Sequence, residues 1–279
     1  MLKLGQWNLL SVSQTTAEGL VLDGGDAGTV LLPKRFAVGL EEETELNVFV
    51  YLNSDDRYTA TTKPPLAVAG EFAGLTCVQT TNIGAFVDLG LEKDLLVPFS
   101  EQKDDLYEEE VYLTYIYVDP KSNRLVGSTK VDRWLKDTTA NYFEDQEVEL
   151  MISNRTDIGY KAIINHNDWG LLYHDQVFQD LRVGQKLVGY IFKNREDGKI
   201  DLTLHPPAEQ RTARLATTIL EELQETQTLP FSDKSSSEII QAKFNESKKT
   251  FKKAIGHLYK NKLIEITPSS IRLLTHPEE

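Results

Sequence analysis

The stretch Asn82–Glu101, NIGAFVDLGLEKDLLVPFSE, puts an aromatic ring where it could do chemistry. Period-two alternation that sends Ala85, Val87 and Leu89 to a core sends Phe86 outward, beside Asp88. An outward phenyl ring offers its π-face to a nucleobase, a sequence-tolerant contact of roughly 1 to 3 kcal/mol. The competing reading is a phenylalanine buried in a core or between domains. Tyr173 and the adjoining His174 are a second candidate pair, set against packing at a domain interface. No second His or Cys lies at ligand spacing from His174, so neither a metal site nor a cofactor is expected.

The cationic candidates lie near the carboxyl end. In NESKKTFKKAIGHLYKNKL, helical spacing puts Phe251, Ala254, Ile255 and Leu258 on one face and Lys249, Lys252, Lys253 and Lys260 on the other. Residues 234–274 carry nine basic and three acidic side chains, whereas residues 67–146 carry seven basic and fifteen acidic. A lysine face of this kind neutralises phosphates, and its affinity falls with salt. An ordinary solvated helix side is the plainer explanation of a lysine run. The EEE runs at Glu41–Glu43 and Glu108–Glu110 read as solubility charges flanking turns.

Catalytic motifs are missing from the 279 residues. There is no GxxxxGKS/T, no GxGxxG after a strand, no HExxH and no GxSxG. GSTK at Gly127–Lys130 ends a strand and has the wrong order for a phosphate loop. The carboxylates fall in turns, without a spacing that would bring two of them together on a buried site. A non-enzymatic protein is the expectation.

Composition sets the outer limits. The formal charge is −13 and the apolar content 40%, so the chain should fold, and any polyanion-binding role needs a local reversal of sign. Cys77 is the single cysteine, which excludes an internal disulfide and fits a reducing compartment. No run of about 18 apolar residues occurs and the N-terminus lacks a leader pattern, so a cytoplasmic protein with no membrane span is expected. The triplets at Asn154 and Asn245 then read as chance matches to a glycosylation signal.

The elements that must position these side chains come in three similar copies followed by a different tail. GEFAGLTCVQTTNIGAFVDLG, KDLLVPFSE, EEEVYLTYIYVD and NRLVGSTK give five short strands. The order recurs from QEVELMISNRTDIGYKAIIN, with Gly159 in the place of Gly84, and from LGQWNLLSVSQTTAEGLVLD, with Gly19 there. Short strands separated by turn residues point to small closed barrels. Paired prolines at 64–65 and 206–207 mark two joints. VDRWLKDTTANYFEDQ joins the second and third copies, and a short helix is expected there. After His205 three helical patterns, the second of them opened by serine caps, precede a hairpin whose turn is TPSS, the order of a winged helix-turn-helix. The expected fold class is mainly β with an α+β tail. Its divisions are residues 1–65, 66–146 and 147–206 as five-stranded OB-fold barrels and 207–279 as the winged helix.

GAFVDLG followed by DLLVPFSE, VYLTYIYVD and NRLVGSTK resembles the RNA-binding repeat of bacterial ribosomal protein S-one, a five-stranded OB-fold. Three such repeats ending in a winged helix resemble the conserved virulence factor B family, RNA-binding regulators of low-GC Gram-positive bacteria, over nearly the whole chain. The resemblance implies an RNA face with two aromatics flanking GA, a histidine after GLL, and an acidic and a basic residue about the fourth-to-fifth strand turn. In the second copy those positions hold Ile83, Phe86, Val97 or Pro98, Asp119 and Arg124, so two are lost. The third holds Ile158, Lys161, Tyr173 with His174, Arg195 and Lys199. The first has Glu18, Val21 and Pro33 and keeps only Arg57, which suits a structural or protein-facing module. Control of virulence-factor expression is also implied.

The expected function is capture of single-stranded RNA by base stacking and backbone electrostatics. Two alternatives stand beside it: a DNA-binding winged-helix transcription factor, and a scaffold docking a basic partner such as a ribosomal protein or RNA polymerase.

Overall fold

The computed structural model describes residues 1–40, 44–135, 142–177 and 179–274. The Glu41–Glu43 run lies outside them. The chain divides into two compact units, Met1–Leu204 and His205–Glu279.

The first unit holds three closed five-stranded barrels of one topology. The first is built from β1 (Gln6–Thr15), β2 (Gly19–Asp23), β3 (Thr29–Pro33), β4 (Glu45–Leu52) and β5 (Tyr58–Thr61). The second uses β6 (Phe72–Thr81), β7 (Gly84–Val87), β8 (Leu95–Pro98), β9 (Val111–Val118) and β10 (Leu125–Ser128). The third uses β11 (Glu147–Arg155), β12 (Gly159–Ile164), β13 (Asp168–Tyr173), β14 (Lys186–Asn194) and β15 (Ile200–Thr203). In each, the first strand pairs with the second and the fourth, and the third runs parallel to the fifth, which closes the sheet. This is the expected OB-fold.

Closure depends on two recurrent devices. Each first strand carries a register shift in the same place, between Val12 and Gln14, Cys77 and Gln79, and Ile152 and Asn154. Such bulges bend a strand enough for it to pair on both sides of a small barrel. Each second strand opens with a glycine packed against the third. A Cβ on Gly19, Gly84 or Gly159 would come within 2.0, 2.3 and 2.0 Å of the carbonyl oxygen of Leu32, Val97 and Leu172. No larger residue fits there, so the glycines repeat while the residues around them change.

The second and third barrels share a hydrophobic seam. Phe72, Leu113, Val131, Met151 and Ile163 are buried in it, with Tyr115, Trp134 and Trp169 packed against them. Tyr115 stacks on Trp134 with ring centroids 4.4 Å apart. Phe72 N–H donates to His166 Nδ1 at 3.0 Å, and the far side of the imidazole meets Glu149 at 3.2 Å. In the segment expected to hold a short helix, the described residues make one 3₁₀ turn, Val131–Arg133, and residues 136–141 lie outside the described ones. Val131, Trp134 and Leu135 pack into the seam from this turn and the two residues that follow it.

The second unit runs α1 (Ala208–Thr226), β16 (Thr228–Leu229), α2 (Ser237–Phe244), α3 (Lys248–Lys260), β17 (Ile264–Ile266) and β18 (Ile271–Leu273), with strand order β16-β18-β17. Ser236 and Ser247 cap α2 and α3 by accepting the Ile239 and Thr250 amides, which would otherwise lack partners. Ile219, Leu223, Ile240, Phe251, Ala254 and Ile271 form its core. The short β16 was not legible as a strand, but it pairs with β18 and completes the wing.

At the seam, the backbones of Gly74 and Gly184 touch, and a Cβ on Gly74 would lie 2.5 Å from the Gly184 Cα. Gly74→Val is expected to destabilise the protein by about 1 to 3 kcal/mol, as overpacking does. Urea denaturation checks this, together with a red shift of tryptophan emission as Trp134 becomes wet. Unchanged stability and emission would mean that the barrels separate freely at this contact.

Candidate nucleic-acid interface

Two of the barrels carry a concavity at corresponding positions, over the second and third strands and the fourth-to-fifth turn. In the third barrel it is a groove of about 830 Å³ whose lining includes Ile158, Lys161, Trp169, Leu171, Arg195 and Lys199. Three of the predicted cations, on β12 and the β14–β15 turn, therefore converge. Lys161 Nζ lies 3.5 Å from the centroid of the Trp169 ring and 3.4 Å from an Asp132 carboxylate oxygen. The ammonium thus caps the indole face and is itself partly neutralised.

Arg195 and Lys199 both bond Asp197, at 2.9 and 3.4 Å, inside their own turn. The Asp197 carboxyl sits below the usual carboxylate range. Desolvation raises it, but the Lys199 amide, the Arg195 guanidinium and the Lys199 ammonium together prevail. Chemically the groove offers a row of fixed cations with an apolar floor. That arrangement suits a phosphate backbone better than a stacked base.

In the second barrel the equivalent cleft is about 520 Å³. Ala85, Val87 and Leu89 are buried, Asp88 is exposed and Phe86 is half-buried, the alternation expected of β7. Phe86 forms the cleft floor with Leu91, Leu96 and Leu125, and Lys93 and Arg124 stand at its edge. Part of the wall belongs to the first barrel, through Tyr51 and Leu52. Burial pulls the Lys93 ammonium down, and Arg124 adds to this while Asp56 and Asp55 oppose it. Arg124 is not a free cation. Its Nη2 and Nε bond Asp56 at 2.7 and 3.2 Å, and Nη2 also donates to the Ser54 carbonyl.

Tyr173 and His174 lie at the end of β13, outside the lining of the groove. Tyr173 faces the same way as Trp169 and Leu171, and its hydroxyl donates to Asp201 at 3.3 Å and accepts from Arg195 at 3.4 Å. It orients the arginine. The His174 ring donates Nε2–H to the Thr156 carbonyl at 3.1 Å and stands edge-on to the buried Tyr160, 5.6 Å between centroids, so it braces the β11–β12 turn. Residue identity alone could not separate such a brace from a ligand contact.

On α3, Phe251, Ala254, Ile255 and Leu258 are buried while Lys249, Lys252, Lys253 and Lys260 are exposed. Among the described residues these four ammonium groups have no carboxylate within ion-pair distance, whereas Arg211 pairs with Glu246 and Lys243 with Glu222. Gly256 lies among them with open space above it.

Sequence reasoning missed Trp169 and Asp132. Alternation along DWGLLY did carry a signal for Trp169, since it shares a strand face with Leu171 and Tyr173. Nothing in the sequence joined Asp132 to Lys161. Among the described residues no helix is long and apolar enough to cross a membrane.

A family model described as the CvfB-like winged helix domain matches residues 217–273, and one described as the S1 domain matches residues 4–63. The S1 match falls on the first barrel, which keeps fewest of the face residues that the resemblance implies. A conserved virulence factor B of Staphylococcus saprophyticus is 29% identical over 82% of this chain and 79% of its own length. The corresponding protein of Staphylococcus aureus strain COL is 27% identical over 84% and 81%. The uncharacterized protein YitL of Bacillus subtilis is 29% identical over 92% and 89%. A crystal structure of a multidomain protein with nucleic acid binding domains from Streptococcus pneumoniae is 22% identical, covers 97% of this chain and 98% of that one, and superposes with a TM-score of 0.41. With an S1 domain at one end, a CvfB-like winged helix domain at the other and similarity to conserved virulence factor B proteins along most of its length, the chain carries domains of nucleic-acid-binding type.

Proposed function

We propose that this protein is a non-enzymatic regulator that binds single-stranded RNA in the cytoplasm. The observation that carries the reading is the ammonium face of α3, unpaired among the described residues, on a chain of net charge −13. Maintaining four exposed like charges on one helix face costs self-repulsion, which a polyanion relieves. The third-barrel groove supplies further cations, Lys161, Arg195 and Lys199, for the backbone. Phe86 supplies the π-face for an unpaired base. Weak sequence preference follows, because a ring and a row of cations recognise neither the edge nor the order of the bases. The name shared by the staphylococcal relatives, conserved virulence factor B, supports a role in virulence.

A helix-turn-helix with a lysine-bearing third helix is also the geometry of a duplex DNA reader. Competition between single-stranded RNA, single-stranded DNA and duplex DNA at one salt concentration separates the two. RNA is expected to win, and duplex DNA winning would replace this reading. Absence of binding to all three would favour a scaffold that docks ribosomal or RNA polymerase components.

Charge reversal of Lys249, Lys252 and Lys253 together should weaken RNA binding at least several-fold and flatten the salt dependence, each lost phosphate contact removing about 0.7 from the log–log slope. Filter binding across a salt series checks it, and an unchanged slope would remove α3 from the interface. Phe86→Ala should weaken RNA binding by roughly 1 to 3 kcal/mol, the stacking increment. Isothermal titration beside a thermal melt reads both effects; a large loss of stability with unchanged affinity would make Phe86 a packing residue only.

A further inference from the structure

We propose that the acidic β4–β5 turn of the first barrel is an internal anion seated on the second barrel's face, which an incoming phosphate must displace before Phe86 is fully accessible. The inference rests on the reading of that face as a nucleic-acid surface and names its regulation.

The turn is built in advance. Asn53 Oδ1 accepts the amides of Asp55 and Arg57 at 2.9 and 3.0 Å, and Asp56 adopts a φ of 55°, so its carboxylate projects from the tip. That carboxylate takes two N–H groups of Arg124, and the Ser54 carbonyl takes another contact from the same guanidinium. A phosphate oxygen would claim the same donors. Arg35 of the first barrel meanwhile bonds Glu92 in the β7–β8 connection. Tyr51 and Leu52 line the cleft whose floor is Phe86, so the two ion pairs hold the first barrel where it covers part of that ring. Of the resemblance-derived face positions, the first barrel keeps only Arg57, in this turn, yet its fold is complete. Its loss of the aromatic rings is what a covering module tolerates.

The latch is weak enough to open. The Asp56 side chain is 71% exposed and that of Arg124 37%, a surface pair that solvent screens. The consequence for binding is specific. While Asp56 occupies Arg124, a phosphate there gains little over the carboxylate it must displace, so in the native protein this residue adds little to affinity or to the salt slope.

Two measurements test this. In the first, Asp56→Asn should raise affinity for a single-stranded oligoribonucleotide about two- to fivefold at low salt and steepen the log–log salt slope by about 0.7, the increment of one phosphate contact. Asp26→Asn, which removes an exposed charge from another turn of the same barrel, controls for net charge. Arg124→Gln should cancel the gain in the Asp56→Asn background while changing little in the native protein. A gain no larger than that of Asp26→Asn, or an unaltered slope, overturns the proposal.

The second measurement needs no RNA. Cys77 is buried and burial pushes its thiol up, so it is a silent background for Phe86→Cys. The rate of thiol labelling at position 86 should rise at least twofold when Asp56→Asn is added. No change there overturns the latch whether or not RNA binds. Faster labelling together with absence of RNA binding in every variant would uphold the latch, refute the RNA reading and overturn the competition with phosphate.

Discussion

Charge pairing within the chain is the constraint on which the rest of the molecule depends. With 43 acidic side chains against 30 basic ones, a cation on a barrel face has a carboxylate of the same chain within reach. Arg124 is held by Asp56, Lys161 by Asp132, and Arg195 and Lys199 by Asp197. Each pair is too exposed to add much stability, and its effect is to set the charge that a ligand meets. Against that background α3 stands out, because its lysine face has no such partner among the described residues. The distribution of free positive charge, rather than the amount of it, orients the molecule toward a polyanion.

One scaffold supports three different faces because its requirements are few. The bulge in the first strand and the glycine at the start of the second are set by closure of a small barrel, and both recur in all three copies. The outward positions meet no such demand. Where the second barrel presents Phe86 over an apolar floor, the third presents Lys161 braced on Trp169. In the proposed function the two faces would divide the chemistry of a nucleotide strand, one suited to bases and the other to backbone. The first barrel, whose S1-domain match is retained, contributes a wall and an acidic turn to its neighbour.

The seam between the second and third barrels gives that division a fixed geometry. Aromatic stacking about Trp134, the bond from Phe72 to His166 and the contact of Gly74 with Gly184 leave little play between the two barrels. A strand bound across both faces would then meet sites at a set spacing, and rigid spacing lowers the entropy lost on binding.

Much of this was legible in order of residues alone, because it depends on local rules. Alternation placed Phe86 outward and Ala85, Val87 and Leu89 inward, glycine spacing revealed three copies, and serine caps with helical period gave α2, α3 and the lysine face. Those patterns follow from backbone periodicity, which neighbours in sequence determine. The partners of the charged groups were not legible. Asp56 lies 68 residues from Arg124 and Asp132 lies 29 from Lys161, and only folding brings them together. Of the segment expected to hold a short helix after the second barrel, the described part makes a 3₁₀ turn at Val131–Arg133 with Trp134 packed in the seam, a contact that depends on the neighbouring barrel; residues 136–141 lie outside the described ones. Sequence therefore determined which surfaces exist and which residues face outward. The tertiary structure alone decided which of those residues remain free, since screening and pairing depend on distance through space and not on position along the chain.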